Sequence, residues 1–303
     1  MHQNDDYPND EIDLKEIIDA LWQGKRLIIL ITAFFAVCSV IYSLSLKNYY
    51  ISESILVARE SQDSSILNQY AGLASIAGIG LPGSSGDKVT EVMEIIKSRE
   101  FVKHLMTFEN VLPSMMAAKR FDSGSGELIY DKKLYDVKNK KWLSDQNDSK
   151  SIEPSYIEAH KAYQGMLSIS RNKNTGLIYA SFEHISPIFA RDFLSLIIKE
   201  ANILKRDKDI ETSTKALSYL KKELSQTPLV EIKESINQLI EAQLETQMMA
   251  NIHEEYSLAI IEPPFVPEEK SKPNRKIICL FGTALGGILS ILLVLVRYYN
   301  VEK

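Results

Sequence analysis

The sequence predicts an α+β membrane protein in which two transmembrane helices flank one large domain. That domain is expected to have a small α/β base and a long antiparallel helical hairpin. Three observations predict this. Leu27–Leu46 and Ile277–Val296 are each twenty residues without a charge, which at about 1.5 Å per residue crosses the roughly 30 Å hydrocarbon layer of a bilayer. Ser186-Pro187, an N-cap followed by a first-turn proline, opens about 37 residues free of further proline or glycine, and Thr227-Pro228 opens a return arm. Short alternating, β-branched stretches lie close to both apolar runs and supply strands.

Composition excludes several classes of function. A net charge of -5 and a pI of about 5.7 argue against a nucleic-acid partner, whose usual footprint is a basic patch. The two cysteines, Cys38 and Cys279, both fall inside the apolar runs, so the domain between them holds no disulfide. None of the five histidines is spaced with a second metal ligand; His253-Glu254-Glu255 begins like H-E-x-x-H, but Ser257 stands where the second histidine belongs. No G-x-S-x-G occurs. Gly78, Gly80 and Gly83 satisfy G-x-G-x-x-G, yet no strand leads into them and Pro82 follows, so they read as a mobile apolar loop. No catalytic, cofactor-binding or metal-binding residue is assigned, and a non-enzyme without cofactors is expected.

In chain order, residues 1–26 form a cytoplasmic tail. Leu14, Ile17, Ile18, Leu21 and Trp22 follow the helical i, i+3, i+4, i+7, i+8 pattern, with Asp13 and Glu16 as a capping box. Seven acids in this tail argue against a cleaved signal peptide, which needs a basic start. Residues 27–46 are the first span. Lys25 and Arg26 before it outnumber Lys47 after it and put the N-terminus in the cytoplasm; the charges around the second span point the other way, and the first helix is followed.

Residues 47–276 are the domain. Ile51–Glu60 reads as a strand. Asp87 is expected to cap a helix over about Lys88–Met106, with Val89, Val92, Met93, Ile96, Phe101, Val102 and Leu105 on its apolar side, and Pro113 marks a break. Residues 122–155 read as a solvated, partly helical segment. Its Tyr130, Tyr135 and Trp142 are assigned to ordinary packing in preference to a sugar-stacking site. Leu167–Arg171 and Leu177–Phe182 alternate around a glycine-containing loop and form a β-hairpin. The helical hairpin covers about 187–253 with its tip near Ser225–Pro228. Each arm has only a narrow apolar stripe, so Leu217, Leu220, Leu224, Ile232, Ile236 and Leu239 are expected to be covered further by another copy in a homo-oligomer. Tyr256–Ile261 is expected to pair with Ile51–Glu60.

Residues 263–273 form a stiff connector whose Pro263, Pro264, Pro267 and Pro273, with Ser271, remove amide donors and favour extended backbone. In the second span, residues 277–296, Gly282 and Gly286 form G-x-x-x-G, and Gly287 and Ser290 continue a small-residue surface for close helix packing. Ser39 and Ser43 are its expected match. Residues 297–303 are a short cytoplasmic tail.

Taken together, this order of features resembles the polysaccharide co-polymerases, the Wzz-type chain-length determinants of bacterial envelope glycans. The residues that carry the resemblance are Ile12-Asp13-Leu14, Leu21-Trp22, Ser98-Arg99, Gly176, Ser186-Pro187 and the proline-rich approach to a glycine-bearing second span. Pro264-x-x-Pro267 keeps the family's P-x-x-P, but three residues rather than four separate it from Ser271-Lys272-Pro273. The resemblance implies a multi-pass inner-membrane protein with its large loop in the periplasm, an oligomer, and control of glycan length together with a Wzy-type polymerase acting on an undecaprenyl-diphosphate-linked glycan such as lipopolysaccharide O-antigen. With seven residues after the span, no cytoplasmic kinase is expected. A periplasmic sensor and an export adaptor are the alternative readings.

Overall fold

The computed structural model describes residue 18 and residues 21–59, 85–143 and 153–301. Leu14, Ile17 and the Asp13 and Glu16 capping box of the expected tail helix, and Gly78, Gly80 and Gly83, lie outside those residues. The chain divides into two units: residues 49–270, and the terminal segments up to Asn48 and from Ser271.

The larger unit is built on a four-stranded antiparallel sheet of order β6-β7-β1-β8, where β1 is Tyr50–Ala58, β6 Leu167–Arg171, β7 Ile178–His184 and β8 Leu258–Glu262. The expected hairpin is β6-β7, and the expected pairing of the two sequence-distant strands is β1-β8. Register explains which face is buried: Leu56 opposes Ile178, Ser54 opposes Ala180 and Ser52 opposes Phe182, so the even-numbered residues of both strands share the core face. Leu56, Ile178 and Phe182 are fully buried there.

Against this face packs the first arm of the helical hairpin, Pro187–Gln226. Ser186 caps it through Phe189 N–H, with Pro187 in the first turn. Phe193, Leu194, Ile197, Ile198 and Ala201 are its buried stripe, and Phe182, Phe189 and Phe193 form an aromatic cluster, with Phe182 and Phe193 centroids 4.9 Å apart. Forty residues make this arm about 60 Å long. It returns through Val230–Ile252. Thr227 ends the first arm rather than opening the second, whose first turn follows Leu229 without a side-chain cap.

The helix expected over 88–106 is two helices, Ser85–Lys97 and Arg99–Leu105, so Asp87 lies inside the first rather than capping it. Ser98 breaks the run by turning extended and accepting from Phe101 N–H, 3.1 Å away. The carbonyls released by the break are taken by a helix the sequence reading did not assign, Tyr156–Met166: Tyr163 O–H donates to Ile96 O (3.0 Å), and His160 Nε2 lies 2.8 Å from Lys97 O. Pro113 is not a break but stands in the first turn of Val111–Met116, where its missing N–H costs nothing. The described part of 122–155 is not helical; Ala118–Asp122 pairs with Glu127–Tyr130, and Tyr135–Asp136 with Lys141–Trp142. Asp122 and Asp136 explain this, because their carboxylates accept backbone N–H groups two residues on and so favour turns.

In chain order the helices are therefore α1 Lys25–Ser45, α2 Ser85–Lys97, α3 Arg99–Leu105, α4 Val111–Met116, α5 Tyr156–Met166, α6 Pro187–Gln226, α7 Val230–Ile252 and α8 Arg275–Val301. The smaller unit is α1 packed on α8. Both are long and apolar enough to cross a membrane, with mean hydropathy 2.5 each.

Candidate functional site

The α1–α8 pair is antiparallel, and its closest approach is set by glycine. A Cβ placed on Gly282 would stand 2.4 Å from Ser39 Cβ, and one on Gly286 2.5 Å from Phe35 Cβ, so only a residue without a side chain fits at either position. Gly24, just before α1, stands in the same relation to Val294. Thr32 Oγ1 and Ser290 Oγ lie 3.4 Å apart, and Ser290 and Ser43 are buried. At the other end Arg275 Nη2 donates to Asn48 Oδ1 at 3.0 Å. Of the expected small face, Ser39 stands against Gly282 and Ser43 is buried; Phe35 stands against Gly286, while Gly287 has open space beside it. Phe34, Leu30, Leu280 and Phe281 face outward and give the pair an apolar exterior.

The start of the proline connector is held by the sheet. The main-chain pairing of β8 with β1 reaches Glu262 and stops, because Pro263 and Pro264 have no N–H to donate. Two buried serines of β1 continue the attachment: Ser54 Oγ donates to Glu262 O and Ser52 Oγ to Phe265 O, each at 2.7 Å. Residues 263–274 contain no helix, and the Lys272–Pro273 peptide bond is cis. The two serines escaped sequence reading because they look like polar outward positions; their partners are 208 and 213 residues away.

On the hairpin, Leu217, Leu220 and Ile236 are buried within the protomer and Leu224 and Leu239 partly so, whereas Ile232 is exposed. Gln247 Nε2 donates to Thr214 Oγ1 and ties the arms together. The exposed apolar side chains near the tip and along α7 include Leu229, Val230, Leu244, Met248 and Ile252. The outward apolar set is therefore shifted from the six residues singled out by spacing, because three of those six are used by the hairpin itself.

Where α6 leaves the base, a charged network fixes it. Lys205 is buried, and its Nζ contacts Asp209 Oδ1 at 2.7 Å and Glu91 Oε2 at 2.9 Å; Lys208 reaches Glu91 Oε1 at 2.8 Å. Burial disfavours the Lys205 ammonium, but hydrogen bonds to Asp209 and Glu91 outweigh it and raise its pKa. Burial and the neighbouring Asp209, which accepts the Tyr256 hydroxyl at 2.8 Å, push Tyr256 up. Asn202 continues the network: its Oδ1 accepts Ser257 and Leu258 N–H and its Nδ2 donates to Leu258 O, pairing the first residue of β8 as a strand would. His184 is buried between Ser114 O, to which Nε2 donates at 2.9 Å, and Ser186 N–H, which donates to Nδ1 at 3.1 Å. Burial pulls its pKa down to about 4. Among the described residues no group of three or more His, Cys, Asp or Glu is placed to hold a metal ion.

Comparison with known proteins bears on residues 10–107, which match the family model described as Wzz, chain length determinant protein. No curated protein sequence matches. Among solved structures, a full-length bacterial polysaccharide co-polymerase aligns at 14% identity over 96% of this chain and 99% of its own, with a TM-score of 0.41. A fragment of WzzB, the polysaccharide co-polymerase from Salmonella Typhimurium, aligns at 12% identity over 74% of this chain and 100% of its own, with a TM-score of 0.28.

Proposed function

We propose that this chain, whose residues 10–107 match the Wzz chain length determinant model, is a member of that family and a non-enzymatic regulator of the length of a bacterial surface polysaccharide. It acts as a homo-oligomer in the inner membrane, its large domain in the periplasm, beside a Wzy-type polymerase that extends an undecaprenyl-diphosphate-linked glycan such as O-antigen. The observation that carries the reading is the family match, which runs through the first apolar helix and β1 into α3.

Three features support the roles of individual residues. The α1–α8 pair leaves its apolar exterior to lipid and to the polymerase, with Gly282 and Gly286 setting the pair's geometry and Gly287 on an open face. Pro263, Pro264, Pro267, Ser271 and Pro273 lie in the helix-free segment before α8, where proline favours extended backbone, and are the residues we assign to membrane coupling. The exposed apolar residues of α7, Ile232 among them, are the surface offered to a neighbouring copy.

The test is chromosomal deletion followed by electrophoresis of the surface glycan. Loss of the modal length distribution, restored by the intact gene, is the expected result; an unchanged distribution in a strain that makes the glycan refutes the proposal.

A further inference from the structure

We propose that the depression between the α3–α4 turn and the β4–β5 hairpin, where β4 is Tyr135–Asp136 and β5 Lys141–Trp142, binds a saccharide unit. The inference deepens the function proposed above and rests on it, since it supplies direct contact with the glycan. The depression is open to solvent and has a volume of about 440 Å³, inside the range of roughly 300–1,000 Å³ typical of small-molecule pockets. Its wall is aromatic: Phe108, Tyr135 and the half-buried Trp142, with Tyr135 and Trp142 centroids 5.3 Å apart. Its rim is polar and of mixed sign, with Asn110, Glu109 and Lys140.

Three observations point to a ligand rather than to packing alone. Among the described residues the non-glycine positions with positive φ are Asn110 (65°) and Lys140 (50°), and both stand on this rim. A left-handed backbone at two non-glycine residues is the kind of local cost that clusters at binding sites. The Asn110 side chain makes no capping bond to α4 and is exposed on the rim, where its carboxamide presents two donors and an acceptor. Glu109 and Lys140 pair with one another across the rim, and Lys141 and Glu153 add one charge of each sign, so the rim carries no single-sign field to select an ion. Apolar ring faces plus uncharged or mutually neutralised hydrogen-bonding groups suit a hydroxyl-rich, uncharged ring, whose C–H face lies on an aromatic side chain while its hydroxyls reach the rim.

The test uses the full chain in detergent. Trp22 and Trp142 are the two tryptophans, so W22F leaves Trp142 as the sole reporter. Oligosaccharides cleaved by mild acid from the source bacterium's own surface polysaccharide are titrated against its emission. Saturable change is expected, and Asn110→Gly, which keeps the left-handed backbone but removes the carboxamide, should weaken binding by roughly fivefold without changing the thermal midpoint. An emission that does not respond, or an Asn110→Gly protein that binds as the parent does, overturns the inference. If glycan length control persists in the same strain, that failure leaves the proposed function standing; if deletion leaves glycan length unchanged, the function fails whatever Trp142 reports.

Discussion

Replacing Gly282 and Gly286 together by leucine should force α1 and α8 apart. The Cβ atoms would fall 2.4 and 2.5 Å from Ser39 Cβ and Phe35 Cβ, against the roughly 3.5–4.0 Å of a carbon–carbon contact. The axes must therefore separate by about 1–1.5 Å, and the remaining side-chain atoms need further space. Overpacking of this kind costs about 1–3 kcal/mol in well-packed interiors. Packing rather than hydrophobic burial is what holds two helices together in lipid, so nothing compensates. The assay is a disulfide trap. With Cys38 and Cys279 changed to serine, T32C and S290C stand where two hydroxyls are 3.4 Å apart, and mild oxidation should close a loop that shifts electrophoretic mobility. In the double leucine variant the rate of closure should fall by roughly tenfold, the equivalent of about 1.4 kcal/mol. Equal closure rates in membrane-inserted protein would refute the close glycine contact.

Other predictions concern the base. Burial depresses the His184 pKa from 6.5 to about 4 in the folded state, so between those values the unfolded chain binds a proton that the folded chain does not. Stability should fall as pH drops through that window, by about 3 kcal/mol in all, and His184→Leu should flatten the dependence measured by denaturant titration. Lys205→Met should destabilise by about 1–3 kcal/mol because Asp209 and Glu91 lose a hydrogen-bonded counter-charge while Glu91 keeps Lys208; adding Asp209→Leu should recover part of that loss, and no recovery would argue against the pair. Ser52→Ala with Ser54→Ala should cost about 1–3 kcal/mol and raise amide exchange at Glu262–Val266, with the midpoint of global unfolding read in parallel.

Much of the fold was legible in residue order. Both apolar runs, the β6–β7 hairpin, the cap and proline at Ser186-Pro187 and the pairing of β1 with β8 follow from period, length and turn chemistry. The misreadings share a cause. Ser98 breaks a helix that periodicity alone joins, because the alternative partners for the freed carbonyls, Tyr163 and His160, come from α5, more than sixty residues away. Thr227-Pro228 has the letters of a start signal yet closes α6, since its Thr N–H bonds back to Glu223 O. The aspartates of 122–136 fold as turns because their carboxylates find local N–H donors.

By itself the sequence determined the two apolar helices, the α+β class, the long hairpin and the family resemblance, because each depends on local period, length or short-range spacing. Which faces are used was decided by tertiary structure. Ser39 and Phe35 oppose Gly282 and Gly286, Ser52 and Ser54 hold the proline connector, Lys205 is buried as an ion against Glu91, and Tyr135 with Trp142 lines a pocket shared with Phe108. Each joins residues tens to hundreds of positions apart, where the free energy of a contact depends on distance and burial that spacing along the chain does not encode.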